Sequence, residues 1–480
     1  MFGYLQRAAR SAATLAFVPT LGLGALVAAP VAAVSPLQFV PLAVMAPDDP
    51  AGTTGGGGFA CTSPAPVHTS ASFHCYTPAD IYAAYGVDAV HAAGLTGQGQ
   101  TIVIVDSFGS PTVQHDLDFF SDTFGLPRTT IDVEHPNGAP TFNPSAFLGT
   151  EVGWAEETSL DVQWAHAIAP DAHLVLVEAN PWETEGVQGF PSMFAGEEFA
   201  IQHFPGAVMS QSFAVTEQSF TGASGPVQVG MFDQVYRDAV ANNVTVFGSA
   251  GDSGTANVID PLGSKLVPFP TVTWPSSDPL VTSAGGTWLQ LGWRWAPTPT
   301  DPLAFTSGAG QVEAVWNESY LPAATGGGRS VLFSTPAFQS GISQSVLKGR
   351  RGLPDLSWNS AVNGGVLVFT SFPGVRVGWH IIGGTSAASP QLAALTSLAG
   401  QKAGKPVGYL NPLLYRLPTS DFTDIVPQTF NGVIVGDNAQ AGTNIPGMPT
   451  TPGWDLTTGF GSPAAMNYVT DLAAAVEARP

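Results

Sequence analysis

The stretch QTIVIVD at residues 100–106 is a short run of β-branched apolar residues between polar ones. Such a run is typical of a strand buried on both faces of a parallel sheet. The pattern returns at residues 174–177, 207–210 and 244–247. Helix-like segments lie between the runs, at residues 153–166 and 231–242. Alternating strands and helices predict an α/β domain, in which site residues collect at the carboxyl ends of the strands.

The composition sets limits on the kind of protein. Of the 480 residues, 44% are hydrophobic, which is enough for a large core and excludes global disorder. The chain has 36 acidic and 15 basic residues, a net charge of −21. Such a charge repels phosphates, so we expect no nucleic-acid partner. Only 11% of residues are charged, so few ion pairs are lost when carboxylates are protonated in acid.

The first 33 residues have the pattern of a secretory signal peptide. Residues 1–10 carry two arginines and no acid, and residues 11–33 are uncharged and end in Val-Ala-Ala. An uncleaved anchor is the alternative, because the uncharged stretch is almost long enough to span a bilayer. Pro19 and Pro30 interrupt it and favour cleavage. We therefore expect a secreted or extracellular protein, cell-surface anchored if the segment is retained.

Residues 34–75 are predicted to be a linker. They contain four consecutive glycines at 55–58 and many serine, threonine and proline residues. The chain has two cysteines, Cys61 and Cys75, and outside the cell we expect them to form a disulfide that closes a 15-residue loop. The remaining residues, 76–480, form the predicted α/β domain.

The octet GGTSAASP at residues 383–390 contains the candidate nucleophile, Ser386. Two glycines permit a sharp turn, and a hydroxyl at the start of a helix gains from the positive end of the helix dipole. The alternative is a Ser/Thr cap on a buried helix. A second GGT, at residues 285–287, is followed by tryptophan and offers no such hydroxyl.

Other hydrolase patterns fit less well. Ser253 lies in GDSG, as in trypsin-like proteases, but those are β-barrels and the alternation of strands and helices excludes them. Asp106 ends a predicted strand and could be the acid of a subtilisin-type triad. None of the nine histidines is followed by the glycine that the subtilisin-type motif requires, so the base is missing. No HExxH zinc motif occurs either.

Two carboxylates replace the histidine in this interpretation. Glu157 and Asp161 stand four residues apart in a predicted helix, which places both on one face. Nearby tryptophans and a leucine favour burial, which raises a carboxyl pKa. Acids near a helix N-terminus also favour the dipole, which suffices to explain Glu156. The functional interpretation is a pair that shares a proton and accepts the proton of a serine.

With these residues in place, the chain resembles the sedolisin family of serine-carboxyl peptidases from Tyr76 to its C-terminus, 405 of 480 residues. The resemblance implies a subtilisin-like three-layer α/β fold, with a mostly parallel central sheet flanked by helices. Individually weak motifs carry it by their order: YTPAD at 76–80, the Glu157/Asp161 helix with HAIAP at 166–170, SAGDSG at 249–254, PD at 354–355 and the octet.

The resemblance also implies roles. Ser386 is the nucleophile, Glu157 its general base, Asp161 the residue that orients Glu157, and Asp252 the acid of the oxyanion hole. A weak carboxylate base and a protonated Asp252 both point to an acid optimum. We therefore expect an exported, acid-active, monomeric peptidase that acts on polypeptides, either as an endopeptidase or as a tripeptidyl-peptidase. A catalytically silent binding or cell-surface protein with the same fold is the alternative.

One structural Ca²⁺ is a further implication. Sedolisins bind calcium through an Asp-Ile pair and a Gly-x-Gly-x-Asp segment. Here the corresponding ligands are Asp424, the Ile425 carbonyl, the carbonyls of Thr451 and Gly453, and Asp455. Thr451 replaces the first glycine, which a carbonyl ligand tolerates if the backbone angles allow it.

The family is usually made with a large folded prodomain before the catalytic domain. Here only 42 residues, 34–75, separate the predicted signal peptide from Tyr76. They are too few and too rich in glycine for such a domain. We therefore expect either that the enzyme folds without a prodomain, or that the prodomain is lost or supplied separately.

Overall fold

The computed structural model describes residues 42–45, 73–141, 150–179, 189–222, 225–259, 265–373 and 377–479. The predicted signal peptide, Cys61 of the predicted disulfide, and most of the predicted linker lie outside these ranges. The four candidate catalytic residues and the five candidate calcium ligands all lie inside them.

The helices of the described ranges are α1 (Pro78–Tyr85), α2 (Val87–Ala92), α3 (Val113–Phe124), α4 (Thr150–Ile168), α5 (Phe190–His203), α6 (Gly225–Ala241), α7 (Gln344–Leu347), α8 (Thr385–Ala403), α9 (Asn411–Leu414) and α10 (Ala465–Glu477). Helix α1 begins at the capping residues that its sequence predicts. The Thr77 hydroxyl caps the Asp80 N–H, the Asp80 carboxylate accepts from the Thr77 N–H at 2.8 Å, and Pro78 opens the helix. Nowhere in the described chain is a helix both long and apolar enough to cross a membrane.

The strands are β1 (Leu42–Met45), β2 (Cys75–Tyr76), β3 (Thr101–Ser107), β4 (Ile131–Glu134), β5 (His173–Ala179), β6 (Val208–Gln211), β7 (Val215–Thr216), β8 (Thr245–Ser249), β9 (Thr273–Trp274), β10 (Thr282–Trp295), β11 (Phe305–Val315), β12 (Asn317–Glu318), β13 (Ala323–Ala324), β14 (Gly328–Ser334), β15 (Arg350–Leu353), β16 (Leu356–Asn359), β17 (Gly365–Thr370), β18 (Gly378–Gly383), β19 (Phe422–Thr423), β20 (Gln428–Phe430), β21 (Val433–Val435) and β22 (Ser462–Pro463).

The central sheet has the order β11-β10-β8-β6-β3-β5-β4, and β16 also pairs with β10. Every pairing in it is parallel except that of β10 with β11. The four apolar runs of the sequence became β3, β5, β6 and β8, which are neighbours in this sheet. The prediction of a mostly parallel α/β sheet is confirmed.

Two hydrophobic cores cover the two faces of the sheet. Alternate residues of β3 enter different cores: Ile102 and Ile104 pack with residues of α4 and α8, and Val103 and Val105 pack with residues of α5 and α6. Because both faces are covered, β3 has no polar alternation, which explains its uninterrupted apolar run. The result is the predicted arrangement of three layers.

A smaller sheet, in the order β1-β18-β17-β2, lies before the candidate nucleophile. β1 pairs antiparallel with β18, from Leu42 opposite Gly383 to Met45 opposite His380. The sequence predicted only a linker in this region and did not predict β1. β18 ends at Gly383, immediately before the helix that carries Ser386.

Buried carboxyl groups outside the candidate site bear on how stability depends on pH. Glu197 of α5 is fully buried, and neither of its carboxyl oxygens has a hydrogen-bond partner of normal geometry among the described residues. Burial raises its pKa well above the usual value, and the Tyr236 hydroxyl opposes the rise. The folded protein therefore favours the protonated acid.

We predict that Glu197→Gln raises the free energy of unfolding at pH 7.5 by about 1–2 kcal/mol and changes it little at pH 3.5. The folded-state pKa is raised, so the stability that this group contributes is complete below the unfolded pKa and is lost as pH rises through the folded pKa. Chemical denaturation at both pH values measures the effect. Glu198→Gln, at the exposed neighbouring position, is the control and should show no such dependence. An equal effect of Glu197→Gln at both pH values contradicts the prediction.

Candidate active site

A tight glycine turn between β18 and α8 positions Ser386. A Cβ on Gly383 would lie 2.6 Å from the Ser360 carbonyl oxygen, and Gly384 has a φ of +104°. A Cβ on Gly384 would lie 2.7 Å from Oδ2 of Asp252. Ser386 follows in the first turn of α8, where unpaired N–H groups and the helix dipole favour negative charge. The glycines are therefore needed for close approach as well as for the turn.

Glu157 and Asp161 lie one turn apart on α4, and both are completely buried. Oδ2 of Asp161 accepts a hydrogen bond of 2.9 Å from the Ser212 hydroxyl. Burial raises the pKa of Glu157 well above its usual value, and the charges of Asp106 and Asp252 add to the rise. The hydroxyls of Ser386 and Ser212 act in the opposite sense. Glu157 and Ser386 are thus close enough to interact, although neither carboxyl oxygen of Glu157 has a hydrogen-bond partner of normal geometry among the described residues.

Asp161 is subject to the same effects. Burial raises its pKa most, and the charges of Glu157 and Asp106 raise it further. Carboxyl groups this close do not all ionise together, so the group titrates as a unit and retains protons to higher pH than isolated acids. We call Asp106, Glu157 and Asp161 the carboxyl cluster.

Asp106 is the member of this cluster whose role the sequence did not predict. It is fully buried near the carboxyl end of β3, and neither carboxyl oxygen has a partner of normal hydrogen-bond geometry in the described structure. Burial raises its pKa to about 7, with the Thr158 hydroxyl opposing and the charge of Glu178 adding to the rise. From the sequence, Asp106 was a candidate only as the partner of an absent histidine. Its position at the end of a buried parallel strand was the signal that could have assigned it.

Asp252 lies against the residues that begin α8. Its Oδ1 accepts hydrogen bonds of 2.8 Å from both the backbone N–H and the hydroxyl of Thr385. The Thr385 hydroxyl also accepts from the Gly251 N–H at 2.9 Å, which ties the loop after β8 to the start of α8. Although Asp252 keeps a partly exposed surface, burial raises the pKa of its carboxyl, and the Thr385 hydrogen bonds oppose the rise. A protonated Asp252 could therefore donate from Oδ2 at this point.

Glu156 is not explained by the helix dipole. The helix was predicted to start at residue 153, but α4 begins at Thr150, so Glu156 lies beyond the first turn, where the dipole acts. Its Oε1 is instead 3.3 Å from Nδ1 of His380 on β18. The early start of α4 moves this acid from the helix end into the protein interior.

The candidate calcium segment brings its two acids together through the backbone. The Gly453 N–H donates to Oδ2 of Asp424 at 2.9 Å, and the Thr451 N–H donates to Oδ2 of Asp455 at 2.8 Å. The backbone hydrogen bonds of the described residues leave the carbonyls of Ile425, Thr451 and Gly453 without a donor. Two carboxylates with three free carbonyls are the oxygen donors that Ca²⁺ prefers.

The backbone angles of this segment suit its sequence. Gly453 has a φ of +79°, which favours glycine, whereas Thr451 is not among the described residues with a positive φ. The substitution of threonine for the family's first glycine therefore strains nothing. No group of three or more His, Cys, Asp or Glu side chains within the described ranges could hold a metal ion. A site here thus depends on its carbonyl ligands.

Comparisons with known proteins found similar proteins, although no protein-family model matches the chain. Kumamolisin from Bacillus sp. (strain MN-32) is 30% identical over 410 residues, which are 84% of this chain and 64% of kumamolisin. Sedolisin from Pseudomonas sp. (strain 101) is 32% identical over 237 residues, 48% of this chain and 35% of the relative. The chain thus spans less than two thirds of either relative.

Among solved structures, Pseudomonas sedolisin, a serine-carboxyl proteinase complexed with two molecules of pseudo-iodotyrostatin, matches with a TM-score of 0.63 and 24% identity. The match covers 83% of this chain and 98% of that one. The two proteins share their fold.

We predict that Gly384→Ala lowers the free energy of unfolding by about 2–4 kcal/mol, because the methyl group meets both an unfavourable φ and the Asp252 carboxyl. Gly404→Ala is the matched control. Gly404 ends the same helix with a φ of +65°, and a Cβ there would have no atom within 4 Å, so it tests the backbone conformation alone. We expect a cost of about 1 kcal/mol there. Equal losses in the two variants would show that the contact with Asp252 has no energetic effect.

Proposed function

We propose that this chain is a serine-carboxyl peptidase of the sedolisin family and that it hydrolyses peptide bonds in acid through an acyl-enzyme on Ser386. The observation that carries this proposal is the buried Glu157–Asp161 pair beside a serine at the start of a helix. A buried acid pair is costly to a protein that does not use it. If these residues are present but catalyse no reaction, the chain would be a binding protein. The experiment below distinguishes the two functions.

In the proposed acylation, Glu157 accepts the proton of the Ser386 hydroxyl while Oγ attacks the substrate carbonyl carbon. Glu157 then gives that proton to the leaving amine. In deacylation, Glu157 takes a proton from water, the hydroxide attacks the ester, and the proton returns to Ser386. Asp161, fixed by the Ser212 hydroxyl, holds Glu157 in place and shares its remaining proton.

Asp252 is the proposed donor to the oxyanion. Its Oδ1 is occupied by Thr385, which leaves Oδ2 for a proton. A neutral carboxylic acid can donate a hydrogen bond to the negative oxygen of the tetrahedral intermediate, as a backbone N–H does in other enzymes. Ionisation of Asp252 would replace this donor with a repelling charge.

These roles limit the activity to a range of acid pH. Activity requires one negative charge on the Glu157–Asp161 pair, so it falls when the pH drops through the lower apparent pKa of the pair. It also requires a protonated Asp252, so it falls when the pH rises through the pKa of Asp252, which burial raises. The proposed enzyme therefore works below neutral pH.

We predict that residues 34–480 digest an unfolded protein in acid, with activity falling towards pH 2 as the Glu157–Asp161 pair becomes fully protonated, and that Ser386→Ala lowers kcat/KM by about 10⁴-fold or more. Ser397→Ala is the matched control: it removes a buried hydroxyl from the same helix, one that bonds only the Ala394 carbonyl, and should stay within a few-fold of wild type. Glu157→Gln should lose activity as Ser386→Ala does, because the base is absent.

Mass spectrometry of the products distinguishes the two modes of cleavage, since tripeptides released from N-termini indicate a tripeptidyl-peptidase and internal fragments an endopeptidase. A rate maximum near pH 8 overturns the carboxyl mechanism. A folded protein that cleaves nothing at any pH favours the binding protein.

We also propose that the segment with Asp424 and Asp455 holds one structural Ca²⁺. The support is the chemistry of the donors: two carboxylates and the carbonyls of Ile425, Thr451 and Gly453. When bound, the ion would neutralise the two acids and join the loop after β19 to the loop before β22. It would take no part in the proton transfers described above.

We predict that chelation of calcium lowers the Tm of the wild-type protein by about 5–10 °C and that Asp424→Asn removes most of this dependence. Asp437→Asn is the control, because Asp437 is also exposed and also accepts one backbone N–H, from Ala439. Thermal unfolding with and without calcium measures both variants. An identical Tm with calcium and with chelator contradicts the proposed site.

Export is the last part of the proposal. The charge pattern of residues 1–33 supports a signal peptide. Secretion would expose Cys61 and Cys75 to oxidising conditions that favour their disulfide. A monomer acting on polypeptides outside the cell is the state we propose.

A further inference from the structure

Three side chains, one from the carboxyl end of each of three neighbouring strands of the central sheet, form a row. The row begins in the carboxyl cluster and runs outward from it. β3, β5 and β4 are neighbours in that order. Asp106 of β3 pairs in register with Glu178 of β5, and His135 directly follows β4. Oε2 of Glu178 is 2.7 Å from Nε2 of His135. The row therefore links a buried member of the cluster to a histidine two strands away.

Exposure rises along the row. Asp106 is fully buried, the Glu178 side chain is 9% exposed, and the His135 side chain is 32% exposed. Glu178 is also held closely by the loop that follows β3. Gly109 has a φ of +71°, and a Cβ there would lie 1.7 Å from Oε1 of Glu178, so only glycine fits. The row thus connects the cluster to solvent through one firmly held carboxyl group.

The charges facing Glu178 come from three elements. Asp106 faces it from β3, His135 faces it from the end of β4, and Glu157 and Asp161 of α4 lie beyond Asp106. α5 packs on the opposite face, against Val177 and Ala179. Burial raises the pKa of Glu178, and the hydrogen bond and charge of His135 oppose the rise.

We propose that Glu178 and His135 are positioning residues that form the solvent-side end of the carboxyl cluster, and that the charge on His135 determines how many protons the cluster holds. The inference rests on the proposed peptidase function. A protonated His135 favours the Glu178 anion, and that anion opposes ionisation of Asp106. By the same repulsion the anion opposes ionisation of the Glu157–Asp161 pair beyond Asp106, so a charged Glu178 raises the pH at which the base becomes available.

The protein contains a matched pair that lacks this connection. His173 of β5 and Asp132 of β4 are also 2.7 Å apart on the same two strands. Their side chains are 41% and 56% exposed, and His173 begins β5, at the opposite edge of the sheet from the carboxyl cluster. His173→Gln therefore removes a similar ion pair and leaves the row intact.

The test is the pH dependence of kcat/KM in His135→Gln, Glu178→Gln, the double variant and His173→Gln. We expect the acid limb to move to lower pH by roughly half a unit in both single variants, a gain of about 3-fold on that limb, because Glu178 is either replaced or, without His135, retains its proton. The double variant should shift no further than Glu178→Gln, because His135 acts only through Glu178. His173→Gln should match wild type. Unchanged limbs, additive shifts, or an equal shift in His173→Gln overturn the inference.

A second measurement separates this inference from the proposed function. The rate at which a serine-reactive phosphonate labels Ser386 depends on the same base but needs no peptide turnover. If wild type cleaves no peptide but is labelled, and His135→Gln moves the acid limb of labelling, the row is supported and the peptidase function is not. If labelling also fails at every pH, both are overturned.

Discussion

Three carboxyl groups, those of Asp106, Glu157 and Asp161, are buried together, and no ion pair within the described part of the chain involves any of them. Burial of like charges without a cation is tolerable only if protons remain bound. This constraint raises the pKa of each acid, makes Glu157 a stronger base than an exposed glutamate, and keeps its neighbours protonated in the acid pH range. The low content of charged residues, 11%, suits a protein in that range.

The carboxyl end of β6 holds the two helices that surround this cluster. Ser210 of β6 makes a hydroxyl contact of 2.8 Å with Ser389, one turn after Ser386 on α8. Ser212, just beyond β6, donates to Asp161 on α4. The same short segment therefore holds the nucleophile helix and the base helix in register. Asp252 lies in the loop after β8, the strand next to β6, and accepts two hydrogen bonds from Thr385.

The sequence predicted those features that depend on short-range pattern. Apolar runs indicate buried strands, and the i, i+4 spacing of Glu157 and Asp161 is visible within one helix. The place of Asp106 in the cluster was missed because it meets Glu157 and Asp161 across elements that lie far apart in the chain, and Glu178 was missed for the same reason. β1 was missed because its partner, β18, lies more than 330 residues away, and only that pairing makes it a strand. The roles of Ser386 and Asp252 came from the resemblance.

The central claim is that the acids around Ser386 hold protons at working pH, and neutron diffraction from crystals grown near pH 4 tests it most directly. We expect one deuteron shared between Glu157 and Asp161, one on Asp106, and one on Oδ2 of Asp252. Ionised carboxylates at all four positions would contradict the claim, because the Glu157–Asp161 pair would then share no proton and Asp252 could not donate to an oxyanion.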